Sequence, residues 1–156
     1  MIVETLQISL ADEHATHRVA QKVTPCLQPG DVLLLEGPIG AGKTAFARAV
    51  VQTALGRMED VPSPTFTLVQ TYETSQGDIW HCDLYRLSHP DDVMELGLDQ
   101  AFTDAICLIE WPDRLGQDTP KSALRLSFRA READHLVEIS LNAPWKERLQ
   151  GINDLP

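Results

Sequence analysis

The sequence predicts an α/β protein of three layers, with helices on both sides of a central sheet of mixed parallel and antiparallel strands. Three observations predict it. An apolar run, Val32-Leu33-Leu34-Leu35, leads through a glycine-rich loop into a helical pattern in which Phe46, Ala49, Val50 and Ala54 recur at about one turn. Two more strand-like runs, Ile79–Leu84 and Ala105–Ile109, alternate with helical signals. Late in the chain, residues 122–129 and 135–141 read as an antiparallel pair.

The elements follow in order. Residues 2–9 alternate weakly and form a first strand. Residues 12–24 are helical, opened by Asp12 as a cap and closed before Pro25. Pro29-Gly30-Asp31 turns the chain into the strand Val32–Leu35. The helix that begins at Lys43 stops near Gly56. Phe66–Tyr72 and Ile79–Leu84 form a hairpin around the polar stretch from Glu73 to Asp78. A short helix opens at Pro90, with Asp91 and Asp92 in its first turn, and Pro144–Gln150 makes a terminal helix. A length of 156 residues is ordinary for one domain, so residues 1–156 are read as one unit.

Composition narrows the function. Acids outnumber bases 23 to 13, a net charge of −10, which argues against a whole-surface nucleic-acid platform. Arg125, Arg129 and Arg131 leave room for a local basic patch. No apolar run is long enough to cross a membrane, and the first residues carry no secretory pattern. Three scattered cysteines, Cys26, Cys82 and Cys107, fit unpaired thiols in a reducing, cytoplasmic setting. The five histidines show no metal-ligand spacing with them and are expected in solvent or core.

The chemistry centres on Gly37-Pro38-Ile39-Gly40-Ala41-Gly42-Lys43-Thr44, which fits G-x-x-x-x-G-K-[ST] at every fixed position. Between a strand and a helix, such a loop aims backbone N–H groups and a helix N-terminus at polyphosphate. Gly40 and Gly42 suit positive φ or close ligand approach, and Pro38 stiffens the first half. Lys43 would reach the β- and γ-phosphates, and the Thr44 hydroxyl would ligate Mg²⁺. Two apolar strands end in acids, Asp83 and Glu110, where open α/β sheets bind ligands; either acid could instead cap a turn. Ser63-Pro64-Thr65-Phe66 occupies a connection that in nucleotide switches carries a γ-phosphate sensor, though a plain turn fits as well. Trp111 reads as a packing residue. No N-K-x-D segment supports guanine, so ATP is the expected nucleotide.

Together, the loop Gly37–Thr44, Ser63-Pro64-Thr65-Phe66, His81-Cys82-Asp83-Leu84-Tyr85-Arg86 and Ile109-Glu110-Trp111-Pro112 resemble the bacterial TsaE (YjeE) family. The resemblance covers most of the chain and is weakest in its last third. It implies a P-loop NTPase fold, Mg²⁺-dependent ATP hydrolysis that is weak alone and raised by partners, and TsaD-like and TsaB-like partners. It also implies threonylcarbamoyladenosine modification of tRNA (adenosine 37), with the tRNA met mainly through those partners. By residue, it implies phosphate binding from Gly37 to Thr44 and a metal role for Thr44. It implies a magnesium-side role for Glu110, and for Asp83 a contact to attacking or metal-bound water. Thr65 falls in the switch-like segment and Trp111 beside the nucleotide. Arg131 and the segment Asp12–Thr16 would border the base. Pro38-Ile39 replaces the usual Asp-Leu, and Cys82 stands where an aromatic is common. A small-molecule kinase and a non-hydrolytic, ATP-ordered docking module are the alternatives; the first needs an acceptor pocket and lid arginines, the second only binding.

Overall fold

The computed structural model describes residues 2–57, 61, 68–87 and 92–149. Seven strands form one sheet: β1 (Ile2–Leu10), β2 (Val32–Glu36), β3 (Val69–Thr74), β4 (Gly77–Asp83), β5 (Ile106–Glu110), β6 (Leu124–Ala130) and β7 (His135–Asn142). Their order is β1-β7-β6-β2-β5-β4-β3. β2 pairs in parallel with both β5 and β6, and β4 with β5. The outer pairs β1–β7, β6–β7 and β3–β4 are antiparallel. The sheet is therefore mixed, as the sequence predicts.

The helices are α1 (Glu13–Val23), α2 (Lys43–Leu55), α3 (Asp92–Glu95), α4 (Leu98–Asp104) and α5 (Ala143–Arg148). Alternation along the central strands splits the core in two. Leu33 and Leu35 of β2 and Ile106 and Leu108 of β5 join the cluster that contains α1 and α2. Val32, Leu34, Cys107 and Ile109 point the other way and pack with Leu98 and Ala101 of α4. Apolar residues on both faces are what a strand covered on two sides requires. At the sheet's entry, Arg148 clamps Asp31 with Nη1 at 3.0 Å and Nη2 at 2.5 Å, tying α5 to the turn before β2.

Several boundaries differ from those expected. The β3–β4 hairpin is tighter: Glu73 pairs with Asp78 and Thr74 with Gly77, leaving Ser75-Gln76 at the tip. The ladder captures these polar residues because the turn holds itself, with the Thr74 hydroxyl donating to the Gly77 carbonyl at 2.6 Å. α1 runs into a 3₁₀ turn, Thr24–Cys26, that carries Pro25 at its start. Helix α4 and a 3₁₀ segment, Pro112–Asp118, were not legible as periodic runs, being short. Ser63-Pro64-Thr65-Phe66, and with it Thr65, lies outside the described residues.

Candidate functional site

The loop between β2 and α2 sits at the carboxyl edge of the central strand. Gly37, Gly40 and Gly42 have φ of +138°, +82° and +109°, which L side chains rarely adopt. A Cβ on Gly37 would collide with the Phe128 carbonyl of β6, whereas one on Gly40 would meet nothing within 4 Å. The first glycine thus lets the loop lie against β6, and the second leaves space for a ligand. Asp12 and Asn142 cap α1 and α5 with their side chains. Helix α2, by contrast, starts at Gly42 without a side-chain cap. Its first-turn N–H groups are left for an anion.

Alternation also explains how the acids arrive. Ile79 lies in the α2-side core, so His81 and Asp83 share that face of β4. Glu110 follows Ile106 and Leu108 to the same face of β5. Asp83 and Glu110 are register partners in the parallel pair, and Leu35 of β2 faces Glu110 from the other side. Three strand ends therefore converge on the loop.

Lys43 is buried, and its Nζ donates to the Gly37 carbonyl at 2.5 Å while lying 3.5 Å from the centre of the Trp111 ring. Burial lowers the Lys43 pKa, an effect opposed by Glu110, Asp83 and Asp113. The Thr44 hydroxyl donates to Glu110 at 2.8 Å (Oε1) and 3.0 Å (Oε2), one proton shared by two oxygens. Glu110 is 2% exposed, and its Oε2 also lies 2.7 Å from His81 Nε2. Burial raises the Asp83 pKa, helped by the Glu110 charge, while the backbone N–H of Tyr85 opposes the rise by donating to Asp83 Oδ1 at 3.1 Å. Asp83 thus both caps a turn and faces the cleft; its two readings are not exclusive. The Glu110 oxygens bond Thr44 and His81, and among the described residues no backbone N–H of a turn.

Trp111 takes left-handed backbone angles, φ 60° and ψ 54°, uncommon for a bulky residue. The turn brings its ring over Lys43 and 4.9 Å from the Tyr85 ring. Packing and proximity to the loop are both satisfied.

A cleft of about 690 Å³ opens here, a size suited to a nucleotide. Ile39, Gly40, Gly42, Lys43, Thr44 and Trp111 line it with Asp83 and Glu110, and so do Asp12, Glu13 and the turn carrying Arg131. Gly37 and Pro38 border a neighbouring depression instead, and Ala41 is fully buried, its N–H donating to the Pro38 carbonyl at 3.2 Å. Arg131 is held by Asp134 (2.7 Å from both Nε and Nη2) and by the Ser9 hydroxyl at 3.0 Å. Cys82 sits on the opposite face of β4, packed with Ile109, so its departure from an aromatic leaves the cleft wall untouched. Sequence reasoning placed His81 in solvent or core and missed its bond to Glu110. The signal was its position two residues before Asp83 on a strand.

Oxygen donors of the Thr44 and Glu110 type fit Mg²⁺, which is usually held by one or two carboxylates together with substrate phosphates.

Comparison with known proteins agrees. The family profile described as "Threonylcarbamoyl adenosine biosynthesis protein TsaE" matches residues 10–137, which contain the loop and both acids. A Rickettsia bellii protein named tRNA threonylcarbamoyladenosine biosynthesis protein TsaE is 36% identical over 128 residues, 82% of this chain and 89% of that one. A Rickettsia felis protein of the same name is 42% identical over 104 residues, 67% of this chain and 61% of the relative. The crystal structure of YdiB from Bacillus subtilis superposes with a TM-score of 0.80 at 26% identity, covering 99% of this chain and 97% of that one. With a P-loop NTPase fold and a profile match across more than three quarters of its length, the chain belongs to the TsaE family.

Proposed function

We propose that this chain is a P-loop ATPase that binds ATP with Mg²⁺ and hydrolyses it in support of threonylcarbamoyladenosine modification of tRNA. It acts as one domain, in the cytoplasm, beside TsaB-like and TsaD-like partners that carry most of the tRNA contact. The observation that carries the reading is the convergence of Lys43, Thr44 and Glu110 at an uncapped helix start. Gly40, Gly42 and the first turn of α2 hold the phosphates through N–H groups, and Lys43 leaves the Gly37 carbonyl to meet them. Thr44 and Glu110 would hold the magnesium, which would supply charge neutralisation there. Asp83, whose charged form is disfavoured in the cleft, orients or accepts a proton from water. Arg131 and Asp12 border the base. The family description and the relatives' names support the pathway.

The test is ATP turnover by the chain alone and with TsaB and TsaD partners. Asp83→Asn should cut turnover by about two orders of magnitude while ATP still binds. It should also stabilise the nucleotide-free protein. An acid whose folded pKa is raised costs stability once ionised, so that cost grows as pH rises above the ordinary value and is complete only above the folded one. The variant's advantage in thermal melting should therefore vanish below the ordinary carboxylate value of 3.8 and grow as pH rises above it. An Asp83→Asn chain that fully supports tRNA modification would replace hydrolysis with ATP-ordered docking.

Nucleotide binding should also be visible in fluorescence. Drawing Lys43 off the Trp111 ring changes that ring's surroundings, and Trp111→Phe should remove most of the ATP-induced signal. A change that survives intact in Trp111→Phe must come from Trp80 or Trp145 and would contradict this motion.

A further inference from the structure

We infer that His81 is a positioning residue for the magnesium-side carboxylate, acting as an Nε2–H donor that fixes Glu110 against Thr44. The inference rests on the reading of Glu110 given above.

His81 is fully buried on β4, and its flanking face-mate Ile79 and register partner Leu108 are fully buried apolar residues. An apolar side chain would suit that setting better, since a buried imidazole costs free energy unless its polar atoms are bonded. One of them is: Nε2 lies 2.7 Å from Glu110 Oε2. The other, Nδ1, has no hydrogen-bond partner among the described residues. A carboxylate accepts, so a hydrogen belongs on Nε2. The ring therefore turns an Nε2–H toward Glu110 Oε2.

The consequence falls on Glu110. Its Oε2 is held by His81 from β4, and both its oxygens receive the Thr44 hydroxyl from α2. Two donors from two elements leave the carboxylate one orientation, aimed at the start of α2. Groups in this outer position orient the ligating ones, and their loss commonly costs ten- to a hundredfold in metal affinity or activity, a range of about 10–100.

The experiment measures ATP affinity by calorimetry on the full chain, with Mg²⁺ and with a chelator, and takes the ratio. In His81→Leu the ratio should fall about tenfold or more, with metal-free ATP affinity unchanged. In His81→Gln, whose amide nitrogen reaches the place of Nε2, most of the ratio should return. Nitrogen NMR of the wild-type ring should report a hydrogen on Nε2, a readout that stands even should His81→Leu not fold. An unchanged ratio in a folded His81→Leu, no rescue by Gln, or a ring without a hydrogen on Nε2 would each overturn the inference. Failure of the underlying reading looks different: wild type would show no magnesium dependence, or Glu110→Gln would keep it, and the inference would fall with it.

Discussion

Lys43→Ala is expected to reduce ATP turnover by about two to three orders of magnitude, the usual cost of deleting a group that meets developing charge in a dry site. The physical basis is the lysine's placement. Lys43 is 5% exposed, and its ammonium sits between a backbone carbonyl of its own loop and an aromatic face, with Glu110, Asp83 and Asp113 as the charges that favour its protonation. These contacts hold a cation in the cleft where a triphosphate would bring negative charge. Another cation that lines the cleft, Arg131, is bound bidentately to Asp134 and cannot replace it without breaking that pair. Lys43→Arg should rescue little, because a planar fork does not fit a slot built for a compact ammonium. Single-turnover hydrolysis and ATP titration separate chemistry from binding. Turnover within threefold of wild type in Lys43→Ala would remove the loop from the mechanism.

Gly37→Ala is expected to destabilise the protein by about 3 kcal/mol, summing left-handed backbone strain and a forced steric shift. At φ +138° any Cβ points at the Phe128 carbonyl, and that residue is held by β7 through its register partner Val137, just past the end of the ladder with β2 at Ser127. It cannot step aside. Phe128 itself packs on Phe46 of α2 at 5.6 Å between ring centres, so a displaced loop would also loosen the helix that presents the phosphate site. Gly40→Ala is the control, since φ is +82° there but the space is open. It should cost only the backbone strain, about 1 kcal/mol. Urea midpoints of the two variants give the difference. Equal midpoints would mean that the close approach of loop and β6 carries no stability.

The phosphate loop, its flanking strand and helix, and the mixed sheet were legible because each rests on local rules. Glycine spacing, apolar runs and 3.6-residue periodicity act over a few residues. The acids Asp83 and Glu110 were legible as strand ends, but their pairing across β4 and β5 was not, since a register is a contact between segments 27 residues apart in number (110 − 83). The exact partner of each oxygen was less legible still. Nothing near His81 in sequence announces Glu110, and nothing near Gly37 announces Phe128. Arg131 lines the cleft, and its bond to Asp134 three residues on gives it a local turn role as well.

Taken alone, the order of residues settled where a glycine-rich loop joins strand to helix and to which family the chain is kin, because these depend on neighbours along the chain. Folding decided the rest. Which face of β4 and β5 meets α2, which partners each acid finds, and which histidine nitrogen faces a carboxylate all follow from strands laid side by side. Hydrogen bonds form between atoms that are close in space, and closeness in space between distant residues exists only once the sheet has closed.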